Sequence, residues 1–178
     1  MLHRTLSLYK TSFTGLSSET WLLSFIMLIN RSGTMVLPFM TLYLTDKEMN
    51  RSLGDAGFVM GLWGLGSIIG AYFGGKLSDK IGFRKVQLLT LFSGGMMFLV
   101  LGQLKSYSLI CLATFILSLV NEAFRPANSS AVAYYSTKEN RTRSYSLNRM
   151  SINLGWAVGS SIGGILASYN YELLFWVD

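Results

Sequence analysis

The fold of this chain is decided by a short stretch, Gly74-Gly75-Lys76-Leu77-Ser78-Asp79-Lys80-Ile81-Gly82-Phe83-Arg84-Lys85-Val86-Gln87-Leu88, which joins two long apolar runs. Those runs, 56–77 and 86–104, are each long enough to cross a bilayer as a helix. Gly82 suits a chain reversal between them, because glycine adopts positive φ without a steric penalty. Asp79 can accept hydrogen bonds from a helix N-terminus. The stretch therefore predicts a tight, charged turn between two membrane-spanning helices.

The composition of the whole chain agrees with a membrane location. Of its 178 residues, 51% are hydrophobic and only 13% are charged, and the mean hydropathy is +0.40. That charged share is about half of what soluble domains carry. The formal net charge of +6 could indicate nucleic-acid binding, but the basic residues cluster at the ends of apolar segments. An integral membrane protein explains that distribution better.

The residues that carry enzyme chemistry are scarce. His3 is the only histidine and Cys111 the only cysteine. No group has zinc- or iron-ligand spacing, and no Ser/His/Asp or Cys/His set can be assembled from one terminal histidine. Cys111 lies in an apolar run and is expected to pack as a small, near-apolar side chain. We therefore predict no enzyme activity, no metal and no cofactor.

Hydropathy predicts five complete membrane spans and the start of a sixth. A span needs about 20 mostly apolar residues. The segments that meet this requirement are 21–43, 56–77, 86–104, 107–130 and 145–169, and a sixth begins at 172. The polar residues 1–20 resemble the start of a signal peptide, but the apolar run that follows is too long and has no small-residue cleavage site. We interpret it as a retained first span.

The basic residues also predict the orientation. Nine lie on one side of the predicted spans, namely Arg4, Lys10, Lys76, Lys80, Arg84, Lys85, Lys138, Arg141 and Arg143. Only Lys47, Arg51 and Lys105 lie on the other side. Cytoplasmic loops carry the excess of lysine and arginine, so we expect a cytoplasmic N-terminus and location in the cytoplasmic (inner) membrane.

The charged turn resembles the loop signature of the major facilitator superfamily. The matching positions are Gly75, Leu77, Asp79, Lys80, Gly82, Arg84 and Lys85, with Phe83 standing where a basic residue is frequent. The resemblance implies an all-α fold of two six-helix bundles with a substrate site between them at mid-membrane. This chain would then be a partial N-terminal bundle that lacks the C-terminal one. Asp79, at a cytoplasmic helix end beside Lys80 and Arg84, is predicted to act on the conformational equilibrium.

Glycines recur at helical spacing in two spans. Small residues four apart let helix backbones approach closely in lipid, and Gly57, Gly61, Gly66, Gly70 and Gly74 follow such a spacing in the second span. In the fifth span, the glycines resemble an antiporter signature of the same superfamily, with Ser160 in place of its proline; they are Gly155, Gly159, Gly163 and Gly164. Both sets are predicted to pack helices together.

Charged and polar groups inside the spans are the candidate pathway residues, because charges at bilayer depth are costly and mark function. Arg31 and Asn30 lie near the centre of the first span, and Glu122 and Arg125 share one face of the fourth. Arg125 also matches the arginine of a superfamily fourth-helix signature, which is linked there to proton transfer or substrate contact. Asn153 is a cavity candidate on the fifth span. The alternative for Arg31, and for the Glu122–Arg125 pair, is a purely structural role.

These residues favour a proton-coupled secondary transporter, with antiport preferred to symport. Glu122, interpreted as the only acidic residue deep in a span, is the predicted proton carrier, with Arg125 as its partner or as the contact for an anionic group. Two arginines against one glutamate favour anionic or zwitterionic substrates. The expected partners are the lipid bilayer, a small-molecule substrate, protons and the C-terminal bundle. The alternatives are proton-coupled uptake of a sugar, peptide or metabolite, and a non-transporting membrane sensor or scaffold.

Overall fold

The computed structural model describes residues 13–47 and 49–178, and within these the regular elements are all helices. This confirms the all-α fold. In chain order the helices are α1 (Ser18–Ser32), α2 (Val36–Thr45), α3 (Leu53–Ile81), α4 (Phe83–Gln103), α5 (Tyr107–Tyr135), α6 (Arg141–Tyr169) and α7 (Glu172–Val177).

The number of complete spans is confirmed. Five segments of the described chain are long and apolar enough to cross a membrane, the first made of α1 and α2 together and the others of α3, α4, α5 and α6. The helices extend beyond the predicted apolar limits, because polar residues prolong them past the apolar core. At the start of α3, for example, Ser52 and Asp55 form a capping box, which satisfies N–H groups that lack helical partners.

The first span is not the continuous helix predicted over 21–43. It breaks between Ser32 and Val36, and the N–H of Gly33 closes α1 by donating to the Ile29 carbonyl at 2.8 Å. Pro38 contributes to the break, because in a continuous helix its ring would clash with the carbonyl four residues earlier, that of Thr34, and would kink the helix. Within the first turn of α2 the missing proline N–H costs nothing, since that N–H has no helical partner in any case.

Glycine contacts set the spacing between α3 and the central helix α5. A Cβ added to Gly66 would lie 2.7 Å from the Phe115 carbonyl oxygen, and one on Gly74 would lie 2.5 Å from the Cα of Ala123. A Cβ on Gly70 would overlap the backbone of Leu119. Gly57 and Gly61 face open space instead, so the predicted packing role is confirmed for three of the five glycines and wrong for these two.

We expect Gly70→Ala to destabilise the bundle by about 2 kcal/mol or more, because the clash is with backbone and cannot be relieved by a rotamer change. Gly61→Ala, at an open position of the same helix, should be neutral or stabilising by about 0.5 kcal/mol. Thermal unfolding of the purified protein compares the two variants. Equal stability for both would contradict a close α3–α5 contact.

Large apolar side chains cover much of the outer surface. Ile68 on α3 is 71% exposed and Phe92 on α4 is 74% exposed, and Phe25 on α1 is also exposed. Contiguous apolar surface of this kind is unfavourable in water, whereas lipid chains solvate it without cost. The surface agrees with a bundle that lies in a bilayer.

Candidate intramembrane charged site

The central charged group is Glu122, which binds two arginines. Its Oε1 lies 3.1 Å from Nη1 of Arg31 on α1, and its Oε2 lies 3.1 Å from Nη1 of Arg125 on α5. The pair within α5 follows the predicted shared face. The pair with Arg31 joins residues 91 apart in sequence, and neither the pathway role nor the structural role predicted for Arg31 included Glu122 as its partner. Two guanidinium groups and one carboxylate leave this cluster with one net positive charge.

The two arginines differ in burial. The side chain of Arg31 is 5% exposed and that of Glu122 is 8% exposed, whereas that of Arg125 is 61% exposed. Arg125 lies on the fourth span, as predicted, but its side chain is not buried among the described helices. Glu122 faces α1 across the bundle, but Arg125 lies almost a full turn further along α5, on a face that the described helices leave open.

The glycines of α6 position Arg31. A Cβ on Gly155 would lie 2.7 Å from the Cβ of Arg31, and one on Gly159 would lie 2.6 Å from the Ser32 carbonyl oxygen. The last turn of α1 therefore rests directly on α6. Gly163 continues the contact against the Phe39 ring, while Gly164 has only ordinary van der Waals contact with that ring.

Several buried polar atoms beside the cluster have no hydrogen-bond partner among the described residues. They are Nη2 of Arg31, Oδ1 of Asn30 and Nδ2 of Asn121. Asn30 and Asn121 also line a pocket of about 430 Å³, which reaches Asp178. Buried polar atoms are normally satisfied by protein or water, so these atoms mark a polar region inside the bundle that can bind water or a polar ligand.

Asp178 is a second acidic group at the middle of the first span, so the interpretation of Glu122 as the only deep acid is wrong. Its carboxylate accepts hydrogen bonds from the N–H groups of Met35 and Val36. The sequence signal was an acid at the end of the apolar segment after Glu172. Its depth became clear only with the break in the first span, which supplies its partners.

Asn153 is not brought to the charged cluster. It lies on an exposed face of α6, and its side chain makes no hydrogen bond with any described residue. A different set of amides links the spans instead: Gln87 Nε2 donates to Asn128 Oδ1 at 3.1 Å, and Asn128 Nδ2 donates to Asn148 Oδ1 at 2.9 Å. The sequence places Asn128 on the same helix stripe as Asn121 and Arg125, but does not indicate its partners on the neighbouring spans.

The charged turn is shorter than a loop. Gly82, with φ of +87°, is the only residue between α3 and α4, which confirms the predicted positive φ. Asp79 is exposed on the last turn of α3 and no described residue donates a hydrogen bond to it. The position of Asp79 on the helix explains this, because Ser78 is on the buried face of α3 and the next residue points away from that face.

Two basic residues of the motif lie at the start of α4. Arg84 donates a hydrogen bond to the Tyr135 hydroxyl at the end of α5, and Lys85 is exposed.

An all-helical membrane bundle with paired charges at mid-depth is typical of secondary transporters. The sequence profile of the Major Facilitator Superfamily matches residues 20–178. The chain therefore belongs to this superfamily of membrane transporters and is an integral membrane protein.

Three relatives illustrate the similarity. The chain is 26% identical over 157 residues to an uncharacterized MFS-type transporter, YdeE, of Escherichia coli, with 86% of this chain and 38% of the relative covered. It is 28% identical to the multidrug resistance protein MdtG of Proteus mirabilis, covering 84% and 38%. It is 27% identical to a multi-drug resistance efflux pump PmrA homolog of Lactococcus lactis, covering 80% and 36%. The chain thus spans less than two fifths of the length of these relatives.

Proposed function

We propose that this chain is the N-terminal part of a secondary transporter that exports a small solute in exchange for protons, with Glu122 as the proton carrier. The observation that carries the proposal is the carboxylate of Glu122, buried and bridged between two arginines on different spans. Buried charges of this kind are retained for function more often than for stability. The names of two relatives, which describe multidrug resistance and efflux, support export as the direction.

Protonation of Glu122 would change both the contacts and the charge of the cluster. A proton on the carboxylate removes the negative partner of both guanidinium groups, and the net charge rises from one positive to two. Arg125 is exposed and free to reorient, whereas Arg31 is held by α6 through Gly155. Proton binding would therefore release Arg125 first. The repulsion of a cationic substrate, which the cluster already disfavours through its one net positive charge, would increase. Competition of this type between proton and substrate is the basis of antiport.

The exposed polar residues indicate where a second bundle would lie. Arg125 on α5 and Asn153 on α6 are both exposed, and superfamily transporters bind substrate between two bundles at mid-membrane. We infer that a C-terminal bundle covers these faces across the substrate cavity, with Asn30 contributing from the first span.

The proposal is tested with the intact protein in proteoliposomes and ethidium as a drug-like cation. We expect ethidium to accumulate when the lumen is acidic and to stop accumulating when an ionophore collapses the gradient. Accumulation that needs the opposite gradient would establish symport, and flux that ignores the gradient would exclude proton coupling.

For Asp79 we retain the conformational role. We expect Asp79→Asn in the intact protein to slow transport while substrate affinity stays within a few-fold, because the side chain lies at a helix end and not in the cavity. Rate and affinity are measured separately by initial flux and equilibrium binding. A large loss of affinity at an unchanged rate would exclude this role.

The orientation is tested by cysteine labelling in a Cys111→Ala background. With a cytoplasmic N-terminus in the inner membrane, an impermeant maleimide applied to intact cells should label Lys47→Cys and should miss Lys80→Cys and Arg141→Cys. Labelling at position 80 with none at position 47 would reverse the topology.

A further inference from the structure

The Asp178 carboxylate accepts hydrogen bonds from the N–H groups at the N-terminus of α2, within the first membrane span. The N–H of Met35 donates to its Oδ1 at 2.8 Å, and the N–H of Val36 donates to its Oδ2 at 2.7 Å. These N–H groups open α2 and have no partner within that helix. In hydrocarbon an unsatisfied backbone group costs several kcal/mol, so the carboxylate removes a large penalty of the break in the first span.

The same two N–H groups have a second set of possible partners. In a continuous helix each N–H bonds the carbonyl four residues earlier, so Met35 would donate to Arg31 and Val36 to Ser32. Met35, with φ −72° and ψ −33°, already has helical backbone, and Gly33, with φ −80° and ψ 21°, departs from it mainly in ψ, by about 60°. Pro38 would kink such a helix but would not prevent these two bonds, because its ring affects the bond to Thr34.

We propose that Asp178 is a positioning residue that holds the first span in its broken form. Its carboxylate competes with the carbonyls of Arg31 and Ser32 for the two N–H groups, and charged acceptors make stronger hydrogen bonds than neutral ones. When Asp178 is withdrawn, the first span winds through residues 33–36 into a kinked continuous helix. The start of the sixth span thereby controls the shape of the first.

The consequence concerns Arg31, which is the second-last residue of α1. Its turn is packed against Gly155 and Gly159 of α6, and its guanidinium binds Glu122. Winding the following residues would rotate α2 against this turn by about 100° per residue added. The break therefore fixes the geometry in which Arg31 meets Glu122. This inference stands on hydrogen bonds within the chain and does not depend on transport.

The test measures the distance between spin labels at Phe25→Cys on α1 and Leu42→Cys on α2, in the intact protein with Cys111→Ala. Both positions are exposed. Winding one residue of the break into a helix shortens the path by up to about 1.8 Å, so we expect Asp178→Ala to shift the modal distance by about 2 Å. Asp178→Asn keeps one acceptor oxygen and the side-chain shape, and should give a smaller shift in the same direction.

Two controls keep the result interpretable. Glu172→Gln removes an acid on the same helix whose ion pair with Lys105 is exposed, and should leave the distance unchanged. Met35→Pro blocks winding, because proline lacks the N–H and its ring meets the Arg31 carbonyl; adding it to Asp178→Asn should restore the parental distance. An unchanged distance in both Asp178 variants would overturn the proposal, as would an equal shift with and without Met35→Pro. If Asp178→Ala does not fold, the proposal is decided by the distances measured for Asp178→Asn with and without Met35→Pro.

Discussion

Replacing Glu122 with glutamine is expected to reduce gradient-driven transport by the intact protein to the level of protein-free liposomes. Glutamine keeps the shape of the side chain but cannot take up or release a proton, so it uncouples the cluster from the gradient. Substrate exchange at equal pH on both sides should continue, because that exchange needs no net proton movement. The two assays, run on the same proteoliposomes with ethidium, separate loss of coupling from loss of folding.

The control for a structural pair is the double variant Glu122→Gln/Arg125→Gln, which removes a carboxylate and a guanidinium together. If the double variant regains full gradient-driven transport, the Glu122–Arg125 pair has only a structural role and the proton passes through other residues. Glu172→Gln, at an exposed acid that pairs with Lys105, should leave transport unchanged.

The second large effect is on stability. Arg31→Met is expected to cost about 3 kcal/mol of unfolding free energy, the lower end of the usual cost of breaking a buried ion pair, because Glu122 keeps only the exposed Arg125 as its partner. Arg125→Met removes the other guanidinium from the same carboxylate but should cost no more than about 1 kcal/mol, because exposed ion pairs contribute little. Comparing the two variants isolates the effect of burial on stability, because both arginines lie 3.1 Å from Glu122 but Arg31 is 5% exposed and Arg125 is 61% exposed.

Thermal unfolding in detergent micelles or nanodiscs compares these variants. The double variant Arg31→Met/Glu122→Gln should recover most of the loss, because it also removes the buried carboxylate that Arg31→Met leaves with only one, exposed, partner. Equal destabilisation by Arg31→Met and Arg125→Met would show that the described burial does not govern the energetics of the cluster.

The spans were predictable from hydropathy, because polar groups are costly in hydrocarbon and a spanning helix must therefore be a long run of apolar residues. The break in the first span was missed, although Pro38 was a readable signal for it, since a proline disfavours helix through the residues before it. Apolar length alone cannot detect such a break, because the residues on both sides remain apolar.

The contacts between different spans could not be predicted from the sequence. The glycines at 155 and 159 predicted close helix packing, but not that α1 would be the partner or that Arg31 would lie at the contact. Glu122 and Arg125 were paired correctly because their spacing within one helix fixes their separation. The Arg31–Glu122 pair depends on which helices pack together, and local pattern does not encode that choice.

The single residue between α3 and α4 has a consequence for biosynthesis. With only Gly82 between helices of 29 and 21 residues, the two spans share one closed end and cannot move apart there. We therefore expect them to enter the bilayer as a helical hairpin, with Lys80, Arg84 and Lys85 at its closed end. Lengthening the turn with a flexible insert should uncouple the insertion of the two helices.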